Sequence, residues 1–289
     1  MTPLVAAVVL VAAVTHAGWN AIAHSIKDEL AGLCMVGVGR TACGVGLACL
    51  APVPAPAAWP WLLVSVVLHV VYQVLLMRSF RLGDFGQVYP IARGTAPVVV
   101  TLVAALVVGE HLAGASAAGV AVASAGLVGL AVRGLRAGRR PDGTGGTASP
   151  WPAVTAAVAT GLTIAAYTVV DGVGVRSSGA VLGYIAWLMA LDGAAVPGYA
   201  LLTHRRGLAE RLRPVRARGL LGGAMSVLSY GLVLWAQARA ALAPVAVLRE
   251  TSIIVGAAIG TVFFRERFGG ARITAAGVML AGIALILWQ

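Results

Sequence analysis

Apolar segments of about 20 residues recur along the whole chain, and this repetition constrains the fold more than any other feature. A helix of that length crosses the hydrocarbon core of a bilayer, where an exposed backbone is satisfied only by its own helical hydrogen bonds. The pattern therefore predicts an all-α membrane protein. We expect ten transmembrane helices, at about 3–24, 30–51, 59–80, 86–108, 113–133, 151–173, 180–202, 219–239, 242–264 and 270–288.

The composition supports a membrane protein and excludes a water-soluble enzyme. Of the 289 residues, 60% are apolar, and only 21 Lys plus Arg and 10 Asp plus Glu carry a charge. The mean hydropathy of +0.92 leaves too few charged side chains to cover a soluble surface. The net charge of +11 does not indicate nucleic acid as a partner, because the basic residues occupy short breaks between apolar segments rather than one polar face.

The chain divides into two similar halves. A polar, Gly-rich linker at 134–150 separates a first repeat at 1–133 from a second at 151–289. Residues 93–132 align with 249–288 without a gap, and identical pairs include Arg93/Arg249, Glu110/Glu266 and Gly126/Gly282. Because each half has an odd number of predicted spans, the second half must enter the bilayer upside-down. Inverted repeats of this kind are typical of alternating-access carriers.

Basic residues fall mainly on one side of the predicted bundle. Sixteen of the 21 Lys and Arg residues lie on one side, two on the other and three inside spans. Cytoplasmic loops carry the excess of Lys and Arg, so we expect both termini outside the cytoplasm. The first span lacks the basic opening and the cleavage site of a signal peptide and is expected to stay in the protein. The chain is therefore predicted to be a multi-pass protein of the inner (cytoplasmic) membrane.

Four motifs stand out within and beside the spans. They are HAGWNAIAHSIKD in the first span, YPIARGTAP in the fourth, GEHLAG after it, and LRETSIIVGAAIGTVFFRERFGG in the second half. Together they resemble the drug/metabolite transporter (DMT) superfamily, and more narrowly its EamA-type ten-helix permeases. The resemblance covers the chain as two tandem EamA-like repeats, and it implies a basket of helices around a central cavity that moves small metabolites. Tyr89-Pro90 has no Tyr-Pro counterpart in the second half, so the implied site is asymmetric.

Polar and aromatic side chains that share a helix face are candidates for a cargo-binding cavity. His16, Trp19 and Asn20 lie at i, i+3 and i+4 in the first span, and Tyr72 and Gln73 repeat this combination in the third. Packing between helices is the alternative role for each of them. The predicted cavity-lining residues are Trp19, Asn20, His16, Tyr72, Gln73, Tyr89, Arg93, Tyr167 and Arg249. His69 lies on the same face as Tyr72 and Gln73, and similar material is added by Tyr184 with Trp187 in the seventh span and by Tyr230 with Gln237 in the eighth.

Ionisable groups inside a bilayer are costly and concentrate in bundle interiors or watery cavities. Six are predicted there: Arg40, Arg93 and Arg249 against Asp171, Asp192 and Glu250. Either they form ion pairs that hold helices together, or they offer opposite charges to the two ends of a zwitterion. Arg40, which has Gly37, Gly39 and Gly44 around it, is expected at a tight helix contact.

Arg93 and Arg249 are equivalent in the repeat but differ in their surroundings. Pro90 and Pro97 bracket Arg93, and proline weakens a helix, so we expect a broken helix whose arginine faces a substrate carboxylate. Arg249 stands beside Glu250 and is expected to form a structural pair with an acid.

Asp171 is the predicted proton-coupling residue. It follows Tyr167 by one helical turn, close enough for the tyrosine hydroxyl to bond it, and no neighbouring arginine fixes its charge. The alternative is that Asp171 lies just past the end of the sixth span, where it meets water. Glu110 and Glu266 stand at span ends and are expected to cap helices or anchor turns.

The sequence predicts a secondary transporter that moves a small organic metabolite by alternating access. The substrate is expected to be amino-acid-like, another zwitterion or drug-like. No nucleotide-binding or catalytic motif occurs in the sequence, so we predict no enzyme activity, no cofactor and no metal. Membrane lipids are expected partners of a monomer or homodimer. The rival functions are a membrane-embedded transferase acting on lipid-linked substrates and a non-transporting helical scaffold.

Overall fold

The protein is an α-helical, multi-pass membrane protein, as the apolar segments predict. The computed structural model describes residues 1–82, 85–110, 112, 114–137, 151–203, 207–264 and 270–288, and these contain helices but no strand. Most of the predicted linker, at 138–150, and Glu266 lie outside the described residues. The helices are α1 Pro3–His24, α2 Glu29–Ala48, α3 Trp59–Leu82, α4 Phe85–Val103, α5 Gly114–Ala137, α6 Trp151–Ser177, α7 Val181–Thr203, α8 Leu208–Leu212, α9 Arg216–Gln237, α10 Leu242–Arg249, α11 Thr251–Phe264 and α12 Gly270–Leu287.

Seven of the described helical segments are long and apolar enough to cross a membrane. Their apolar side chains are not confined to the interior, since Leu106 and Leu202 are each 83% exposed. Exposed leucines at this density would aggregate in water but are satisfied by lipid tails. The outer surface of the bundle is therefore its lipid-facing surface.

Glycine allows two helix pairs to approach closely. A Cβ atom placed on Gly44 of α2 would lie 2.5 Å from the backbone nitrogen of Ala190 in α7. One placed on Gly119 of α5 would lie 2.5 Å from the carbonyl oxygen of Gly282 in α12. Packing of small residues replaces the hydrophobic effect as the force between helices in lipid. The close contact expected around Arg40 is confirmed at Gly44.

The break in a long helix occurs in the second half and not at the prolines of the first. Helix α4 runs through Pro90 and Pro97 without interruption, because each proline removes only one backbone bond and α4 is packed against α5 and α6. In the matching part of the second half, α10 ends at Arg249, α11 begins at Thr251, and Glu250 stands between them. The predicted broken helix is therefore wrong for α4, and its equivalent is broken instead.

Candidate functional site

A buried charged cluster forms where α4 meets the break between α10 and α11. The Nε atom of Arg93 lies 2.8 Å from Oε2 of Glu250, and a terminal nitrogen of Arg93 donates to Oγ of Ser252 at 2.9 Å. The Nε atom of Arg249 is farther from the same carboxylate, at 3.9 Å. All three charged side chains are almost inaccessible to solvent. Two guanidinium groups thus share one carboxylate, and the closer pair belongs to Arg93, where we had expected a pair at Arg249.

The local backbone explains why the carboxylate can occupy this position. At the break, the amide of Glu250 donates to the carbonyl of Val247 at 3.0 Å, and the amide of Ile253 donates to the carbonyl of Glu250 at 2.9 Å. Both bonds span three residues, so the chain tightens for one turn before α11 begins. Adjacent charged residues, Arg249 and Glu250, thereby stand at a helix junction inside the bundle.

Aromatic rings from three helices form a wall beside the charged cluster. His69 of α3 stacks on Tyr167 of α6 with ring centroids 4.1 Å apart and an interplanar angle of 27°. Tyr72 packs edge-on against Tyr167 at 5.6 Å, and Tyr230 of α9 packs edge-on against His69 at 5.4 Å. Tyr167 lies within electrostatic range of both Arg249 and Arg93. The wall therefore adjoins the two guanidinium groups.

Asp171 is fully buried and contacts the aromatic wall through Tyr230. The hydroxyl of Tyr184 donates to its Oδ1 at 3.0 Å, and that of Tyr230 donates to its Oδ2 at 2.5 Å. The spacing predicted that the hydroxyl of Tyr167 would bind Asp171, but the two hydroxyls that do so come from Tyr184 and Tyr230. Because α6 continues to Ser177, Asp171 is inside the helix and not beyond its end.

The other predicted residues differ in how close they lie to the charged cluster, and His16, like Tyr167, is within electrostatic range of both Arg93 and Arg249. Trp19 donates from Nε1 to Nδ1 of His16 at 3.3 Å, and both are half-buried. Asn20 is exposed and donates to the carbonyl of His16 in its own helix at 2.7 Å, so it does not join the cluster. The ring of Tyr89 lies 5.9 Å from the guanidinium carbon of Arg93, which makes it a cation–π neighbour of the charged cluster.

Gln73 belongs to a second buried ion pair. Its Nε2 donates to Oδ1 of Asp192 at 3.2 Å, and Arg40 forms an ion pair with the other oxygen of that carboxylate. This group joins α2, α3 and α7 beside the close glycine contact. Both oxygens of Asp192 have partners within this group. We therefore assign the group to helix packing, separate from the charged cluster around Glu250.

A network of hydrogen bonds ties four helices together at the end of the bundle that carries Met1. Glu110, which follows α4, accepts a bond from the amide of Leu242 at 2.7 Å and forms an ion pair with Arg176 at 2.8 Å. Arg176 also donates to the carbonyls of Gln237 at 2.9 Å and Ala240 at 2.7 Å. We call these five residues the latch. Glu110 caps a helix, as expected, but the helix it caps is α10, which is distant in sequence.

The opposite end is joined by an exposed ion pair. Arg211 of α8 donates to both carboxylate oxygens of Asp28, at 2.7 Å and 2.8 Å, in the connection between α1 and α2. These hydrogen bonds, together with one from the amide of Ala31, hold the pKa of Asp28 below its ordinary value. The contact is on the surface and therefore contributes little to stability.

Two of the contributing residues, Ser252 and Arg176, were not among the sequence-based candidates. Ser252 follows Glu250 by two positions, and no periodic pattern distinguishes it from other serines. Arg176 and Glu110 meet only in three dimensions, since 66 positions separate them. Among the described residues, no group of three or more His, Cys, Asp or Glu side chains is placed to hold a metal ion.

Comparisons with known proteins establish the fold and no more. No protein-family model matches the chain. No curated protein matches it either. A solved structure described only as "Crystal structure of protein" superposes on it with a TM-score of 0.73, at 18% identity and over 99% of both chains. At this identity the likeness shows that the two share a fold.

Proposed function

We propose that this protein is a secondary transporter of the EamA type, which moves a small organic metabolite across the cytoplasmic membrane. Ten membrane-spanning helices form two inverted five-helix repeats, with α10 and α11 together as the ninth span. The cargo binds among the charged cluster and the aromatic wall, and the two repeats rock to expose that site to each side in turn. A carrier of this kind needs neither a cofactor nor nucleotide hydrolysis.

Paired glycine contacts support the two repeats. A shift of 149 positions maps Gly44 onto Gly193 and Thr41 onto Ala190. The contact of Gly44 with the nitrogen of Ala190 then has its counterpart in Gly193, whose added Cβ would lie 2.7 Å from the nitrogen of Thr41. In one contact the glycine comes from α2 and the neighbouring nitrogen from α7, and in the other the two helices exchange these roles. Such a pair of contacts is expected across a two-fold axis between α2 and α7.

The same relation holds between α5 and α12. A shift of 156 positions maps Gly119 onto Ala275 and Gly126 onto Gly282. Gly119 approaches the carbonyl of Gly282, and a Cβ on Gly126 would lie 3.2 Å from the carbonyl oxygen of Ala275. The packing of α3 on α6 likewise has its counterpart in the packing of α9 on α1. These correspondences favour one two-fold axis through the bundle.

The observation that carries the proposal is the Arg93–Glu250 pair, which joins the two halves inside the membrane. Arg93 comes from the first half and Glu250 from the second. The aromatic wall is built in the same way, with His69 and Tyr72 from the first half and Tyr167 from the second. Buried charge at a repeat interface is costly, and in membrane proteins it marks cargo and ion pathways.

The latch supports alternating access because it closes one end of the bundle. It joins the last turn of α6 and Glu110, which lies seven residues beyond the end of α4, to the start of α10, across the boundary between the halves. By the distribution of basic residues, this end faces away from the cytoplasm. Release of the latch would open the cargo site to the outside.

We further propose that transport is coupled to protons through Asp171. Its surroundings comprise Tyr184 of α7, Tyr230 of α9, and Ser65 and His69 of α3, and these contain no arginine that would fix its charge. Proteoliposomes with an imposed pH gradient test this for wild type, Asp171→Asn and the exposed control Asp28→Asn. Loss of gradient-driven accumulation only in Asp171→Asn is expected. Accumulation that persists in Asp171→Asn would exclude this residue as the coupling group.

Counterflow in proteoliposomes tests the transport function. Vesicles loaded with unlabelled metabolites are diluted into traces of the labelled compounds, and a carrier accumulates the label transiently by exchange. A transferase would convert the compound, and a scaffold would neither exchange nor convert it. Exchange that saturates and requires the protein is expected, whereas conversion without exchange would replace this proposal by the enzyme alternative.

A further inference from the structure

The charged cluster contains one more cation than its own acid can neutralise. Arg93 holds Glu250 at 2.8 Å and also donates to Ser252. Arg249 approaches the same carboxylate only to 3.9 Å. The Nε atoms of both arginines lack a hydrogen-bond partner among the described residues, but Arg93 has its bond to Ser252 and the shorter distance to Glu250. A guanidinium carries five donors, and a buried one without acceptors is strongly unfavourable.

Asp171, the acid bonded to the aromatic wall, does not supply the missing charge. The two oxygens of Asp171 accept from Tyr184 and Tyr230, and no ion pair joins Asp171 to either arginine in the described part of the chain. Arg249 lies within electrostatic range of Tyr72 and Tyr167 in the aromatic wall. Arg249, which shares the carboxylate of Glu250 at the longer distance, therefore lies near the surface on which a flat or apolar cargo would pack.

We propose that the cargo is an organic monocarboxylate and that Arg249 receives its carboxylate. This inference rests on the proposed function, because it assigns a substrate class to the same site. The planar fork of a guanidinium matches a carboxylate in two parallel hydrogen bonds. The excess is a single positive charge, which a monoanion balances and a dianion would exceed. The stacked His69–Tyr167 rings supply a surface for an aromatic or apolar body.

Matched acids and amides test this on the purified protein. The probes are benzoate, phenylacetate, 3-phenylpropionate and indole-3-acetate, each paired with its neutral primary amide, and phenethylamine as a cation. Thermal unfolding is measured at equal concentrations, because a ligand that binds the folded state raises Tm. At least one acid is expected to raise Tm while its amide and phenethylamine do not. If no acid exceeds its amide, or if the amine stabilises best, the assignment is overturned.

Variants locate the effect at Arg249. Arg249→Gln should abolish the difference between acid and amide, and Arg249→Lys should weaken the apparent affinity for the acid at least ten-fold, because a point charge replaces the fork. The exposed control Arg211→Gln should bind as wild type does. Without ligand, Arg249→Gln should unfold at or above the wild-type Tm, whereas Arg93→Gln should unfold below it. An acid preference that survives in Arg249→Gln would contradict the proposal.

Counterflow separates this inference from the transport function. If amides or amines exchange as well as acids do, transport stands and the carboxylate assignment falls. If acids bind in an Arg249-dependent way and nothing exchanges, the carboxylate site stands and the transport function falls. If the two glutamine variants fail to fold, wild type and Arg249→Lys still test the carboxylate site, because acids and their amides can be compared on both proteins.

Discussion

Removing the Glu110 side chain should open the end of the bundle that the latch closes. The bond from the Leu242 amide to Oε2 is a charge-assisted hydrogen bond of 2.7 Å, and bonds of this class contribute about 1.5–3 kcal/mol. The ion pair with Arg176 is partly screened, since the two side chains are 31% and 12% exposed, and adds about 1 kcal/mol or less. Glu110→Ala should thus weaken the closed end by about 2–3 kcal/mol, which is roughly a 30- to 150-fold increase in the open population.

Thiol accessibility measures that population. The three native cysteines are replaced by serine, and Ala243→Cys then supplies the single reporter thiol. Ala243 lies beside the latch and is 1% exposed, so its labelling rate reports on the closed end. A polar maleimide should react with this reporter roughly 30- to 150-fold faster after Glu110→Ala. Glu110→Gln keeps an acceptor for the Leu242 amide and should give a smaller increase.

A second reporter distinguishes local opening from general unfolding. In protein that retains only the native Cys34, which is 2% exposed, the labelling rate should not change with Glu110→Ala. Arg239→Gln, which removes an exposed arginine stacked on Trp235 at 4.1 Å, is the matched control and should leave both rates unchanged. Equal acceleration at both reporters, or no acceleration at position 243, would refute the latch.

Three further predictions concern stability. Gly282→Ala should lower the free energy of unfolding by about 1–3 kcal/mol, because its Cβ would lie 2.5 Å from a backbone nitrogen of α5. Gly277→Ala should raise the free energy of unfolding by about 0.5–1 kcal/mol, because no atom lies near the added Cβ and alanine favours a helix. Denaturation of both variants in detergent checks the difference. Asp192→Ala should cost about 3 kcal/mol, at the low end for a buried pair, because it leaves Arg40, whose side chain is 16% exposed, without its partner. A cost under about 1 kcal/mol would contradict the ion pair. Arg211 lowers the folded-state pKa of Asp28, so their pair stabilises the protein at pH values above the unfolded-state pKa, which is near 4. Wild type should therefore be slightly more stable than Asp28→Asn at neutral pH. This difference should vanish as the pH falls through the folded-state pKa.

The helical membrane fold could be predicted from the sequence because hydropathy and backbone satisfaction in lipid depend on local composition. The tight contact at Arg40 was also predictable, since Gly37, Gly39 and Gly44 leave room for a neighbouring backbone. The position of the helix break was not. Proline suggested α4, but packing on both sides keeps α4 continuous, and the break occurs at Glu250, where no glycine or proline indicates it.

The site was only partly predictable because its partners are distant in sequence. Tyr72 and Tyr167 were both predicted to line the cavity, each from the spacing in its own helix, and the structure brings their rings together. The same spacing assigned Asp171 the wrong tyrosine, because the hydroxyls that reach it come from α7 and α9. Which arginine lies closer to Glu250 depends on the crossing of α4 and α10, and adjacency in the chain does not indicate that this is Arg93.

The most direct test of alternating access is whether one residue in the wall can be reached from both sides of the membrane. A single cysteine is introduced by Tyr72→Cys in protein without native cysteines and is labelled with a membrane-impermeant reagent in right-side-out and in inverted vesicles. The account predicts labelling from either side and protection from both by a bound cargo. Labelling from one side only, under every condition, would contradict a carrier and indicate a pocket with a single entrance.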